Sequence, residues 1–290
     1  MTGWNPPTRA LLADGRLHLQ DGPIDLIIGL EGLRLAVMEA RECAWRALHG
    51  VLAGLTFELP LLRAPLLGRL PDLRHPVAVR MAEAAWPHRA QFITPMVAVA
   101  GAVAEHVLAA IVIVPGITLA HVNNGGGIAL HLSPESSLRV GLVECLGSAG
   151  QAVIRGDDGV RGIATSGWRG RGFSLGIADA VTVLAPRAAE ADAAASIIAN
   201  AVDVDHPAVA RRPASSLDPG SDLLDLPVTV AVDTLPSEQV AEALGRGADC
   251  AEGLLARGLI FAACLRLQGQ VRLVGAAGFL VAADQEAITG

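Results

Sequence analysis

The chain of 290 residues and 29.8 kDa is 52% apolar but only 3% aromatic, so its interior must be packed from aliphatic and small side chains, in one large core or two intimate halves. Net charge is −7, and all 22 basic residues other than histidine are arginine; with no lysine and no broad basic face, nucleic acid is not an expected partner. A mean hydropathy of +0.46 would suit a membrane protein, but the longest apolar run, Met96 to Val114, carries Glu105 and His106 at its middle and reads as a buried helix.

Residues Met1 to Arg16 hold Asn5, Pro6, Pro7 and Asp14 where a signal peptide needs an apolar run, so a cytoplasmic protein without membrane attachment is expected. Cys43, Cys145, Cys250 and Cys264 form no CxxC pair. That spacing argues against a zinc knuckle or a redox motif and for buried free thiols.

In chain order, residues 16 to 28 alternate or run apolar across Asp21-Gly22-Pro23, which predicts two strands and a turn. Leu33 to Leu55 has helical apolar spacing and predicts one long amphipathic helix. Prolines 60, 65, 71 and 76 mark an irregular connection, and Val77 to Trp86 is a short helix closed by Pro87. Thr94-Pro95 predicts a helix start over 96–112, with threonine as cap and proline in the first turn. Ile117 to Thr165 reads as a strand meander broken at Asn123–Gly127, Ser133-Pro134, Gly147 and Asp157–Gly159. A strand at Val181–Leu184, a helix from Ala188 to Val202, a strand over 228–232, a helix over 237–256 and strands over 259–267 and 270–275 complete the expected mixed α/β (α+β) class. The polar stretch 203–226 is expected to border a site or link two halves.

Three segments could carry chemistry. Asn123-Asn124-Gly125-Gly126-Gly127 lies between apolar strands; its glycines allow a close ligand approach and its amides offer donors and acceptors, while the plain alternative is a hairpin turn. Thr165-Ser166-Gly167-Trp168-Arg169-Gly170-Arg171 combines hydroxyls, glycines and two arginines suited to a phosphate, or is a surface loop; it lacks the spacing and lysine of a Walker loop. Asp192 and Ser196, four apart, share a helix face and could offer two oxygens to a hard cation, or serve the helix dipole and packing. Asp179, an acid within the apolar run Gly176–Ala180, is either bonded to backbone or functional.

Val122–Ala129, Gly162–Gly167, Ala178–Val183 and Ala191–Ser196 together resemble, in order and spacing, the ApbE-like superfamily, whose known members are magnesium-dependent FAD:protein FMN transferases. Gly22-Pro23-Ile24-Asp25, Phe92–Met96, Ala100–Ala104 and His206-Pro207-Ala208 with Arg212-Pro213-Ala214 are most similar to its uncharacterised branch. The resemblance covers about residues 16 to 275. It implies an ApbE-like fold of strand meanders and packed helices, as a single domain over 1–290 or as two related halves meeting near 203–226. It also implies a cleft for a flavin or related nucleotide (FAD or FMN) along Asn123–Gly127 and Ala164–Gly167 (Thr165, Ser166, Gly167), with Mg²⁺ at Asp192 and Ser196; Thr94, Arg169 and Arg171 are candidate cleft residues beside them, and Asp179 is the candidate catalytic residue, an acid that orients the nucleophile or a second ligand. Two departures stand against transfer: relatives read Gly-Gly-Asp where this chain has Gly125-Gly126-Gly127, and their His-x-x-Asp-Pro stretch is replaced by Phe173-Ser-Leu-Gly-Ile-Ala-Asp179. A lysine usual in the helix after Gly101 is also absent. The readings left open are a Mg²⁺-dependent transferase, a nucleotide-binding module and an assembly partner of another enzyme, with homo-oligomers permitted by the apolar share.

Overall fold

A computed structural model describes residues 5–141, 150–275 and 280–282. Cys145 and the turn expected at Gly147 lie outside the described residues, as do the first four positions. The strands are β1 Thr8–Leu11, β2 Leu17–Asp21, β3 Ile24–Gly32, β4 Ile117–Asn124, β5 Gly127–Leu132, β6 Ser137–Gly141, β7 Gly150–Arg155, β8 Gly162–Ser166, β9 Ala180–Ala185, β10 Val209–Pro213, β11 Pro227–Val232, β12 Ala262–Leu267, β13 Gln270–Val274 and β14 Leu280–Ala282. The α-helices are α1 Arg34–Leu48, α2 Val51–Phe57, α3 Leu59–Leu62, α4 Pro76–Ala85, α5 Val99–Val112, α6 Ala188–Ala201 and α7 Ser237–Ala256. The mixed α+β class is as expected. The chain forms two compact units, residues 1–136 with 160–164 and 185–193, and residues 137–159 with 165–184 and 194–290.

In the first unit β1-β2-β3-β4-β5 are antiparallel neighbours, and β8 joins β5 through Ile128 opposite Ile163. Side chains alternate across a strand, so Leu17 and Leu19, Ile24, Leu26 and Ile28, Ala120 and Val122, and Ala129 form one buried face. Helix α5 packs on β4, β5, α1 and α4. It buries Ala102, Val103, Ala104, Val107, Leu108 and Ile111, while α1 buries an alanine stripe, Ala36, Ala40 and Ala44, ending in Leu48. Small residues every fourth position let helices lie close, which is how so few aromatics suffice.

In the second unit β9, β12 and β13 are antiparallel neighbours covered by α7. A β10–β11 ribbon and a small β6-β7-β14 sheet accompany them. Strand β10 lies within the polar stretch 203–226.

Two local expectations are corrected. The long helix over Leu33–Leu55 is broken: α1 ends at Leu48, and Gly50, at φ +83, adopts the left-handed conformation that closes one helix and opens α2. Thr94 does occupy the capping position, in extended conformation. However, the helix begins as a 3₁₀ turn over Pro95–Ala98, to which the Thr94 hydroxyl makes no cap hydrogen bond; the Val97 N–H reaches the Thr94 carbonyl instead, at 3.3 Å. The stretch Pro95–Val112 is long and apolar enough to cross a membrane, yet half of it is buried within the structure.

Helices α5 and α6 cross at a point only glycine permits. A Cβ on Gly101 would lie 2.2 Å from the Ala188 carbonyl oxygen. Gly101→Ala should therefore push the helices apart and cost about 2 kcal/mol by overpacking. Gly245→Ala, on α7 with open space around it, should be neutral or gain about 0.5 kcal/mol from helix propensity. Urea unfolding of the two variants beside the parent chain checks the contrast.

Candidate functional site

Within the first unit the asparagine–glycine segment is a tight hairpin. Asn124 pairs with Gly127 across β4 and β5, and Gly125 and Gly126 turn the chain at φ +58 and +106, the positive values a two-residue hairpin needs. Asn123 braces the turn by accepting from the Gly126 N–H at 3.0 Å. Asn124 lies on the buried face of β4, where its Nδ2 donates to the Ala100 carbonyl at 3.2 Å. Gly127 rests against the same place: a Cβ there would lie 2.9 Å from the Gly101 nitrogen and 3.1 Å from Ala100 atoms. This position thus has no room for a side chain.

Asp192 converges on the same two residues. Its Oδ2 accepts from the Gly101 N–H at 3.0 Å, and the Ala100 N–H also bonds to its carboxyl. The group keeps some solvent contact, yet atoms crowd around it: burial pushes its pKa up to about 7, against the opposing pull of the two N–H groups. Sequence reading weighed Asp192 as a dipole partner of its own helix. In the structure it serves the amino end of α5, 91 residues away.

The reverse contact also exists. Glu105 of α5 accepts from the Ala189 N–H at the start of α6 through Oε1 at 2.8 Å, while its Oε2 lies 2.9 Å from Arg80 Nε and 3.2 Å from Arg187. The Arg80 contact is an ion pair off the N–H axis, so Nε has charge compensation without a linear hydrogen bond. Each helix therefore closes the other's amino end with a carboxylate. Glu105 is a residue that sequence reasoning used only to argue against a membrane span; a lone acid in an apolar helix was itself the signal of a buried partner.

The second unit gathers the hydroxyls. Thr165 and Thr182 share a hydrogen bond at 2.8 Å between β8 and β9, and the Ser196 hydroxyl of α6 donates to Ser166 at 3.3 Å. Gly167 is pressed on the chain behind it, where a Cβ would lie 2.6 Å from the Asp179 carbonyl oxygen. The Asp179 carboxylate is engaged on both oxygens: Oδ1 accepts from Trp168 Nε1 at 3.3 Å and Arg169 Nε at 2.8 Å, and Oδ2 accepts from the Gln268 N–H at 2.6 Å. Arg169 lies over the Trp168 ring, 4.9 Å from its centroid. Arg171 is exposed and makes no ion pair among the described residues. Gln268 was not singled out from sequence, because its link to Asp179 spans 89 positions.

Asn124, Gly127 and Asp192 thus meet around Ala100–Gly101 in one unit, and Ser166 meets Ser196, and Arg169 meets Asp179, in the other. Thr94 is buried at the start of the turn leading to α5. As for Mg²⁺, no group of three or more His, Cys, Asp or Glu side chains suited to a metal occurs among the described residues. Asp192 belongs to the first unit and Ser196 to the second, and each offers one oxygen of the kind a hard cation takes.

Packed helices on an antiparallel sheet define an α+β protein. A family model described as AbpE bacteria matches residues 9–273, and the chain belongs to that family. UPF0280 protein MK0206 of Methanopyrus kandleri is 38% identical over 165 residues, covering 54% of this chain and 63% of that protein, so the match spans less than two thirds of the relative's length. A solved structure of Pseudomonas stutzeri flavinyl transferase ApbE, apo form, aligns over 96% of this chain and 94% of its own at 11% identity and a TM-score of 0.37, a likeness too distant to bear on the argument.

Proposed function

We propose that the protein binds a flavin or a related nucleotide through the Thr165–Arg171 segment, with Mg²⁺-dependent transfer of FMN or a nucleotidyl group from FAD as its activity. The observation that carries this reading is the 3.3 Å contact between Ser166 and Ser196. It joins a residue of the nucleotide-binding segment to a residue of the metal-binding helix, both named by the family resemblance. In this reading Thr165, Ser166 and the arginines hold the phosphates by hydrogen bonds and charge. Mg²⁺, held at Asp192 and Ser196 together with phosphate oxygens, would supply neutralisation of charge on the pyrophosphate. The experiment is incubation with FAD, Mg²⁺ and candidate hydroxyl-bearing acceptors. Release of AMP (if FMN is transferred) or of FMN (if the adenylyl group is transferred) that depends on Mg²⁺ and falls at least about 100-fold in Ser196→Ala is the expected result; neither product with any acceptor sinks the transfer half of the proposal.

A second reading, a flavin or nucleotide carrier without turnover, is favoured by one observation: Gly127 packs so closely on Ala100 and Gly101 that the acid carried there by relatives has no space. It predicts a raised melting temperature with FAD, FMN or ADP and no product. A ligand at 100 times its Kd adds about 2.7 kcal/mol, readily seen as a thermal shift. Unchanged melting across that panel removes both readings.

A further inference from the structure

The Asp179 carboxylate sits where three loops of the second unit meet. From one side come Trp168 and Arg169, with the Trp168 N–H also donating to the Ala178 carbonyl at 3.0 Å. From the β12–β13 turn comes the Gln268 N–H, and the Asp179 N–H in return donates to Arg266 at 2.9 Å. Gln268 is one of two non-glycine residues with positive φ, at +43, among the described residues. Its side chain ties down the third loop, accepting from the Leu235 N–H at 3.0 Å and donating to the Asp233 carbonyl at 2.7 Å. A non-glycine residue in the left-handed region costs energy and persists where its surroundings fix it.

This arrangement bears on what Asp179 does. A carboxylate offers about four acceptor positions, and three are filled. The Asp179 side chain is 15% exposed, against 63% for Arg169. Arg169 is held by Nε alone, and neither Nη has a protein acceptor among the described residues. A guanidinium gripped at Nε and backed by an indole ring has lost most of its rotational freedom, and its two Nη groups remain as a fork for a planar pair of anionic oxygens. Arg171, two residues on and exposed, adds a second positive charge to the same glycine-rich segment.

We propose that Asp179 is a positioning residue, not an acid: it sets Arg169 as an oxygen-anion fork that, with Arg171, takes the phosphate part of the ligand. This rests on the reading above that a phosphorylated ligand binds here, and it replaces the candidate catalytic role of Asp179. The ligand chemistry so specified is a diphosphate or phosphomonoester, recognised at its oxygens whatever base or flavin it carries.

The test is calorimetric titration of the full chain with inorganic pyrophosphate, and separately with FAD. Asp179→Asn keeps acceptor capacity for Gln268 and Trp168 but loses the charge that grips Arg169; Arg169→Lys keeps charge and loses the fork. Each is expected to weaken pyrophosphate binding about tenfold, the scale of one oriented charge-assisted hydrogen bond. The Asp179→Asn/Arg169→Lys double variant should bind no worse than Arg169→Lys alone, because the two residues act as one device. Losses that simply add, or an Asp179→Asn protein that is less stable but binds pyrophosphate as tightly as the parent, overturn the positioning role. FAD binding separates the two levels: a parent chain that binds FAD but not pyrophosphate defeats the fork and leaves the function standing, whereas one that binds neither defeats both.

Discussion

Replacing Glu105 by alanine is expected to lower the unfolding free energy by about 3 kcal/mol or more. Breaking a buried ion pair leaves its partner charge uncompensated, and such losses run to about 3–5 kcal/mol. Here the carboxylate is 12% exposed and the Arg80 side chain 21%. The Ala189 N–H would lose its acceptor at the same time, and an uncapped helix start adds about 1 kcal/mol. Arg187, at 49% exposed, contributes little because water screens it. Glu105→Gln should lose less than Glu105→Ala, since the amide oxygen still accepts from Ala189. Guanidinium unfolding of the three proteins orders them parent, Gln, Ala; equal midpoints for parent and Ala would show that the pair contributes nothing.

The second large effect is a pH dependence at Asp192. Its folded pKa is raised from 3.8 to about 7, so between those values the folded chain holds a proton that the unfolded chain has released. Stability from this group is fully present below about pH 4 and is lost as pH rises to 7. At 1.36 kcal/mol per unit the full span would be about 4 kcal/mol, and the residual solvent contact of the group makes this an upper figure. Asp192→Asn keeps an oxygen for the Gly101 N–H and has nothing to ionise. It should match the parent near pH 4 and exceed it by a few kcal/mol at pH 8, measured as the difference in melting temperature across a pH series. Mg²⁺ binds the charged carboxylate, so under the proposed function added Mg²⁺ narrows the gap at pH 8 by stabilising the parent alone. A gap that is flat in pH would refute the buried ionisation.

How much of this was legible in sequence follows from how local each cause is. The turn at Gly22 and the helix over 237–256 were legible because glycine freedom and 3.6-residue periodicity act within a few positions. The break at Gly50 was not, since Val51, Leu52 and Leu55 continue the apolar rhythm of α1 while the backbone changes direction. Strand β1 is exposed and β10 mostly so, and both exist because a neighbour pairs with them; Thr8–Leu11 has no alternation to read. In the site, the hairpin at Gly125-Gly126 was one of two open readings and is the one adopted by the backbone. The backbone N–H groups that bond to Asp179, Asp192 and Glu105 lie 84 to 91 residues away along the chain, and no pattern in the string connects Asp192 to Gly101 or Asp179 to Gln268.

The mutual closure of α5 and α6 carries a rule about counting. Gly101 and Glu105 are separated by one helical turn, and so, nearly, are Ala189 and Asp192, which lets a single crossing point satisfy both amino ends. One residue inserted in either interval would swing its acid through about 100° and strip the opposite helix of its cap. Side chains around that crossing can drift; the number of residues between them cannot.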